Sequence, residues 1–195
     1  MKEYPLLLKS EMVRAIFEGR KTQTRCPIVP QPMNIIAGNL NKEKEVYCQF
    51  EDGDKLINCP WGVGDRLWVK ETWAVHVAWN DTSPSQIEIP NHGIQIWYKS
   101  SPPKPPTIGK WRSSIYMPRW ASRITLEITN IRVERIREIS EEDAQQEGID
   151  FYQVSPEGNG SYRYPFEMFW DSLYDKKGYG WDKNPWVWVR EFRRR

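Results

Sequence analysis

The stretch from Ile124 to Val133 narrows the possible folds of this chain most. Ile124, Leu126 and Ile128 alternate with polar residues, and Ile131 and Val133 resume the alternation after a shift at Thr129-Asn130. A period of two puts one set of side chains on one face of a strand, and a slip in that period marks a β-bulge. One long, bent strand is therefore predicted. Weaker strand patterns run from Arg66 to about Thr72, after the turn at Gly62, Gly64 and Asp65, through Ile94, Ile96 and Tyr98, and through Trp186, Trp188 and Phe192. Helical spacing is confined to short pieces. Ser10 to Gly19 carries Met12, Val13, Ile16 and Phe17 on one face, with Ser10 as N-cap and Gly19 as stop. Ser140-Glu141-Glu142-Asp143 opens a second helix that Gly148 closes, and Pro165 to Leu173 forms a third.

Strands and helices that do not alternate regularly favour a mixed β-barrel with short flanking helices, an α+β fold, over a doubly wound parallel sheet. Residues 27–60 read as an inserted loop or hairpin, 80–93 as loop, and the proline-rich run from Ser100 to Pro106 as an exposed connector or lid. The expectation is one domain over residues 1–195 with two long insertions, at about 27–60 and 75–115.

Hydrophobic residues make up 39% of the chain and Trp alone accounts for 11, enough to build a core. Lys plus Arg exceed Asp plus Glu by 28 to 26, so overall charge does not call for a polyanionic partner. Membrane crossing is not expected, because no apolar run approaches the roughly 20 residues a spanning helix needs. Cys26, Cys48 and Cys59 are odd in number and lack a C-x-x-C pair, and with His76 and His92 they show no ligand spacing. Neither a disulfide framework nor a metal is predicted.

Local charge is more informative. From Lys110 to Arg137 seven cations face only Glu127 and Glu134, and Trp111, Tyr116 and Trp120 are interleaved with them. That composition suits base stacking with guanidinium groups on phosphates, which makes Arg112, Arg119, Trp120 and Arg123 candidate nucleic-acid contacts. The competing reading is a core of tryptophans with arginines alongside. Lys70-Glu71, after the Gly64 strand, is either a pair facing a ligand cavity or an ion pair on a barrel rim.

One segment carries a more specific pattern. Gly19-Arg20-Lys21-Thr22-Gln23-Thr24-Arg25, just after the first helix, resembles the G-R-K-T-x-T-x-R signature of ASCH-domain proteins. Gly64-Asp65-Arg66-Leu67-Trp68-Val69 is similar to that family's G-D-x-L-x-V strand, with Asp143 to Gly148 and Trp186 to Phe192 following in the family's order. With Met117 to Arg123 added, the chain resembles the longer ASCH proteins of phages and prophages. The resemblance implies a PUA-like barrel in the bacterial cytoplasm, no cofactor, and RNA or a modified pyrimidine nucleoside as partner. Small members of that family deacetylate N4-acetylcytidine. By that likeness Lys21 matches the proton acceptor, Thr24 the nucleophile and Glu147 the proton donor; Arg25, a candidate substrate- or nucleic-acid-binding residue, or backbone N–H groups would stabilise charge. A non-catalytic nucleic-acid reader and a ribonuclease are the alternatives.

Amide hydrolysis needs those roles: a nucleophile, a base to deprotonate it, donors for the oxyanion and an acid for the departing amine. Two conditions follow. Lys21 lies past a helix C-terminus, whose field favours the cation, so burial must overcome it before Lys21 acts as a base. Lys21 and Thr24 would point to opposite faces of a straight strand, so the chain must turn or bulge between them.

Overall fold

The expected long strand organises the molecule. In the computed structural model, which describes residues 1–36, 45–87, 93–101, 105–153 and 160–195, it runs from Thr125 to Arg135. In chain order the strands are β1 (Glu3–Leu7), β2 (Gln23–Pro27), β3 (Asn34–Ile35), β4 (Glu45–Phe50), β5 (Gly53–Asn58), β6 (Arg66–Lys70), β7 (Trp73–Val75), β8 (Ile96–Tyr98), β9 (Thr125–Arg135), β10 (Tyr152–Gln153), β11 (Gly160–Ser161) and β12 (Trp186–Arg194). The helices are α1 (Ser10–Phe17), α2 (Glu141–Gln146) and α3 (Arg163–Tyr174).

The main sheet has the order β1-β6-β9-β12-β2. Only β1 and β6 run parallel; the other neighbours are antiparallel. The predicted bulge is present. The register of β9 against β12 steps from Asn130–Glu191 to Ile128–Phe192, which leaves Thr129 as the extra residue. The fold is thus mixed α+β with a sheet-based core. The expected barrel is corrected in one respect: among the described residues the ladder does not close, since β1 and β2 pair on one side only. Leu6 and Leu7 of β1 and Thr24 and Arg25 of β2 nevertheless line one cavity. The two outer strands of the sheet therefore face a common cavity, a seam with no ladder across it among the described residues.

Burial follows the alternation. Trp188 and Phe192 of β12 join Leu67, Val69, Leu126, Ile128, Val13 and Ile16 in one apolar cluster. Val187 and Val189 of the same strand join Phe166 and Trp170 of α3, Ala144 of α2 and Met12 of α1 in another. A strand clothed on both faces explains the absence of polar residues at its centre until Arg190.

The insertions are more ordered than expected. Residues 27–60 contain a small sheet of order β3-β4-β5, and Ile28, Cys48 and Cys59 bury against the main core. Within 75–115 the hairpin-like pair β7-β8 packs a third cluster with Trp73, Val75, Ile87, Met117 and Ala121. Part of each loop expected at 80–93 and 100–106 lies outside the described residues, as do 37–44 and His92. Among the described residues no helix is long and apolar enough to cross a membrane.

Candidate functional site

Three chain turns converge on Lys21. Helix α1 ends as expected at Gly19, in the left-handed region at φ +76°. The N–H groups of Arg20 and Lys21 then both donate to the Ala15 carbonyl. Ser140 caps α2, its hydroxyl accepting from the Asp143 N–H as the sequence predicts, and Glu147 ends that helix. Lys21 and Glu147 form an isolated antiparallel bridge, and the Thr22 N–H donates to Gln146. From Gln23 onward the chain changes partner and pairs with β12, placing Thr24 opposite Arg190. That change satisfies the required break between Lys21 and Thr24: both side chains line the same cavity.

The cavity holds about 110 Å³. An engineered cavity of about 150 Å³ takes up benzene, so the scale is that of one small ring. Its walls are apolar and aromatic, from Leu6, Met12, Phe166, Phe169, Trp170 and Tyr174. Lys21, Thr24, Arg25, Glu147 and Arg190 supply its buried polar lining, and the exposed Lys9 joins them, its ammonium 5.3 Å from the Phe169 ring centroid. Three of these were predicted as catalytic and Arg25 as charge-stabilising.

Lys21 is 3% exposed and Glu147 2%. The Lys21 ammonium donates to the Glu147 carboxylate at 2.9 Å, to the Glu147 carbonyl at 2.7 Å and to the Gln23 carbonyl at 2.9 Å. Burial pulls the Lys21 pKa below 10.5 even though Glu147 opposes the shift, and Arg25 and Arg190 add to the lowering. The condition set by the helix end is met, because desolvation wins over the attractive field.

Arg25 ties the site together. It donates to Glu147 at 3.0 Å, to Gln23 Oε1 at 3.1 Å, to Glu134 at 2.7 Å and to Asp143 at 2.8 Å. Burial works against the cation, but Glu147, Glu134 and Asp143 outweigh it and raise the pKa of Arg25 above its ordinary value. Arg132 extends the network to Asp143, Glu134 and Glu191. Arg25 is therefore a saturated scaffold for Glu147, with no donor left over for charge developing on a ligand. No hydrogen bond engages the Thr24 hydroxyl among the described residues, which leaves it available to a ligand.

The other predicted residues lie away from this cavity's lining. Glu71 is buried, but its partners are Arg123, at 3.0 Å, and the Ser100 hydroxyl; Lys70 reaches the Ile115 carbonyl. Arg123 stacks on Tyr98, 3.9 Å from the ring centroid. Arg112 donates to the carbonyls of Thr82 and Trp79, Arg119 pairs with Glu3, and Trp120 packs edge-on against Trp73. Of these, Arg112 holds carbonyls within the second insertion, whereas Arg119 pairs back to β1 and Arg123 to Glu71. Among the described residues no three His, Cys, Asp or Glu side chains converge as a metal site requires.

Arg190 escaped the sequence reading, as did Gln23, Asp143, Glu134 and the aromatic wall of α3. A signal for Arg190 was present: it is the single charge within Trp186-Val-Trp-Val-Arg190, a run otherwise suited to burial on both faces. Gly148 escaped too. It sits at φ +82°, and a Cβ there would lie 2.8 Å from Lys21 Cβ and 2.9 Å from Ala15 Cβ. Gly148→Ala is expected to lose at least about 1–2 kcal/mol from backbone strain alone, because only glycine occupies that region freely. It should also displace Lys21. Thermal melting checks the first effect, and the Lys21 resonance in NMR checks the second.

No protein-family model, curated protein or solved structure matches this chain.

Proposed function

We propose that the seam cavity binds the base of a modified pyrimidine nucleoside and hydrolyses its N4-acyl group without a metal or organic cofactor, and that the chain is an ASCH-type, PUA-like protein. The observation that carries the proposal is the convergence of Lys21, Thr24 and Glu147, 126 residues apart at the extremes, on one ring-sized cavity with aromatic walls. The mixed sheet supports the PUA-like assignment. The small volume supports a single base over a polymer lying in a cleft.

The chemistry follows from one proton held between Lys21 and Glu147. With that proton on Glu147, the neutral Lys21 amine takes the Thr24 hydroxyl proton as Thr24 attacks the acyl carbon. Collapse of the tetrahedral intermediate breaks the C–N4 bond, and Glu147 gives its proton to the departing amine. Water then attacks the acyl-threonine, returning one proton to Glu147, while Lys21 protonates the released Thr24 oxygen. Both groups end as they began.

Incubation with N4-acetylcytidine in the presence of EDTA is expected to release cytidine and acetate. The active form is the singly protonated pair, so kcat/KM should be bell-shaped in pH. Its alkaline limb should fall below 10.5, because the Lys21 proton is lost below that value. No cytidine from the wild-type protein at any pH would end the hydrolytic reading.

A further inference from the structure

Every buried cation near the cavity except one has its donors committed. The three Lys21 protons have three acceptors, and Arg25 is shared among three carboxylates and Gln23. Arg190 differs. It is 5% exposed and lines the cavity, yet among the described residues its guanidinium makes no hydrogen bond and no ion pair. Its Nε is fully buried and unpartnered. Its guanidinium carbon lies 4.1 Å from the Trp61 ring centroid, a contact that uses no N–H. Burying a guanidinium with its Nε unpartnered is costly, and such groups are ordinarily satisfied. An oxygen brought by a ligand would satisfy it.

We propose that Arg190 is the oxyanion-binding group of the cavity, receiving a ligand oxygen that carries, or acquires, negative charge. A planar guanidinium matches a carboxylate or a tetrahedral oxyanion in two-donor geometry. The apolar walls take the ring to which that group is attached. In the deacetylation proposed above, on which this part rests, Arg190 meets the acyl oxygen as it turns negative. The β2–β12 register supports that geometry, since Thr24 and Arg190 are direct cross-strand partners. The nucleophile and the oxyanion donor then approach the same carbonyl from adjacent strands.

The test uses anions that do not react. Benzoate and acetate are titrated against the intact protein by calorimetry, with benzamide and acetamide as neutral isosteres. Each carboxylate is expected to bind at least tenfold more tightly than its amide. Arg190→Met should erase that preference, and Arg190→Lys should keep it in weakened form. Arg190→Met should also melt no lower than wild type, because the cost of the unpaired buried cation outweighs its stacking on Trp61. A structural arginine would give the opposite result. Equal binding of carboxylates and amides, or an undiminished preference in Arg190→Met, overturns the proposal. If wild type fails to turn over N4-acetylcytidine yet holds benzoate through Arg190, this inference stands and only the hydrolytic reading falls. Unaltered turnover in Arg190→Met, against an expected loss of about 10²–10³ in kcat, does the reverse.

Discussion

Lys21→Met is expected to lower release of cytidine from N4-acetylcytidine by roughly 10²–10⁴-fold, the span typical of removing a positioned acid or base. Methionine keeps the volume of the stem while deleting the amine, so the aromatic wall stays packed and substrate binding should change far less than turnover. The Glu147 carboxylate keeps Arg25 as a partner at 3.0 Å, which guards the fold against an orphaned charge. Glu147→Gln should show a loss of the same order, and the double variant little more than either, because the two act as one proton-holding unit. A second readout is independent of substrate. The folded Lys21 pKa lies below 10.5, so between that value and 10.5 the unfolded chain holds a proton the folded protein has shed. Stability then rises with pH across that window. The rise should vanish in Lys21→Met when melting is followed against pH. Turnover that survives Lys21→Met would remove the assigned base.

Arg25→Met should give the largest loss of stability, about 3–5 kcal/mol, the usual result of removing one partner from a buried ionic network. At about 2–4 °C per kcal/mol for a chain of this length, melting should fall by roughly 6–20 °C. Three carboxylates depend on this guanidinium, and two of them, Glu134 and Asp143, retain only Arg132 as a charged partner. Acid should expose the same dependence. Burial alone would raise the Asp143 carboxyl, but the Gln23 amide and the Arg25 and Arg132 guanidiniums outweigh it and hold it below 3.8. The stability Asp143 contributes is therefore complete above 3.8 and disappears as pH falls through its lowered value. In Arg25→Met that loss should begin at higher pH. A variant that melts like wild type and shows an unmoved acid limb would mean that the network is ornamental. Arg25→Met and Arg190→Met form a matched pair of substitutions, one in a saturated cation and one in an idle one, with opposite expected signs.

What was legible in the sequence was what repeats locally. The alternation about Ile128 gave the long strand and even its bulge at Thr129, because period two is imposed by backbone geometry alone. Ser140 and Gly148 marked the ends of α2 because caps are short-range chemistry. Strand β1 was missed, since Glu3-Tyr-Pro-Leu-Leu has no alternation and its partner β6 lies some 60 residues away. The main sheet was read as a closed barrel because strand patterns carry no information on which edges bond. Residues 27–60 looked irregular, yet they contain β3, β4 and β5, whose pairing makes up for weak individual propensity. Within the site, Lys21, Thr24 and Glu147 were found through a motif. Gln23, Glu134, Asp143 and Arg190 were not, because only the folded register brings them beside those three. Arg112, Arg119 and Arg123 were read together for their density; in the structure Arg112 donates to carbonyls of the second insertion, while Arg119 and Arg123 pair with Glu3 of β1 and with Glu71 just after β6.

The unbonded seam has a mechanical meaning. Where a ladder joins two strands, parting them means breaking hydrogen bonds in sequence. Among the described residues no ladder joins β1 to β2; α1 links them along the chain, and Leu6, Leu7, Thr24 and Arg25 face the hollow they share. Parting these margins breaks no strand ladder, so the cost of admitting a guest falls on the side chains there, above all on Arg25, which ties its margin to the ionic lattice.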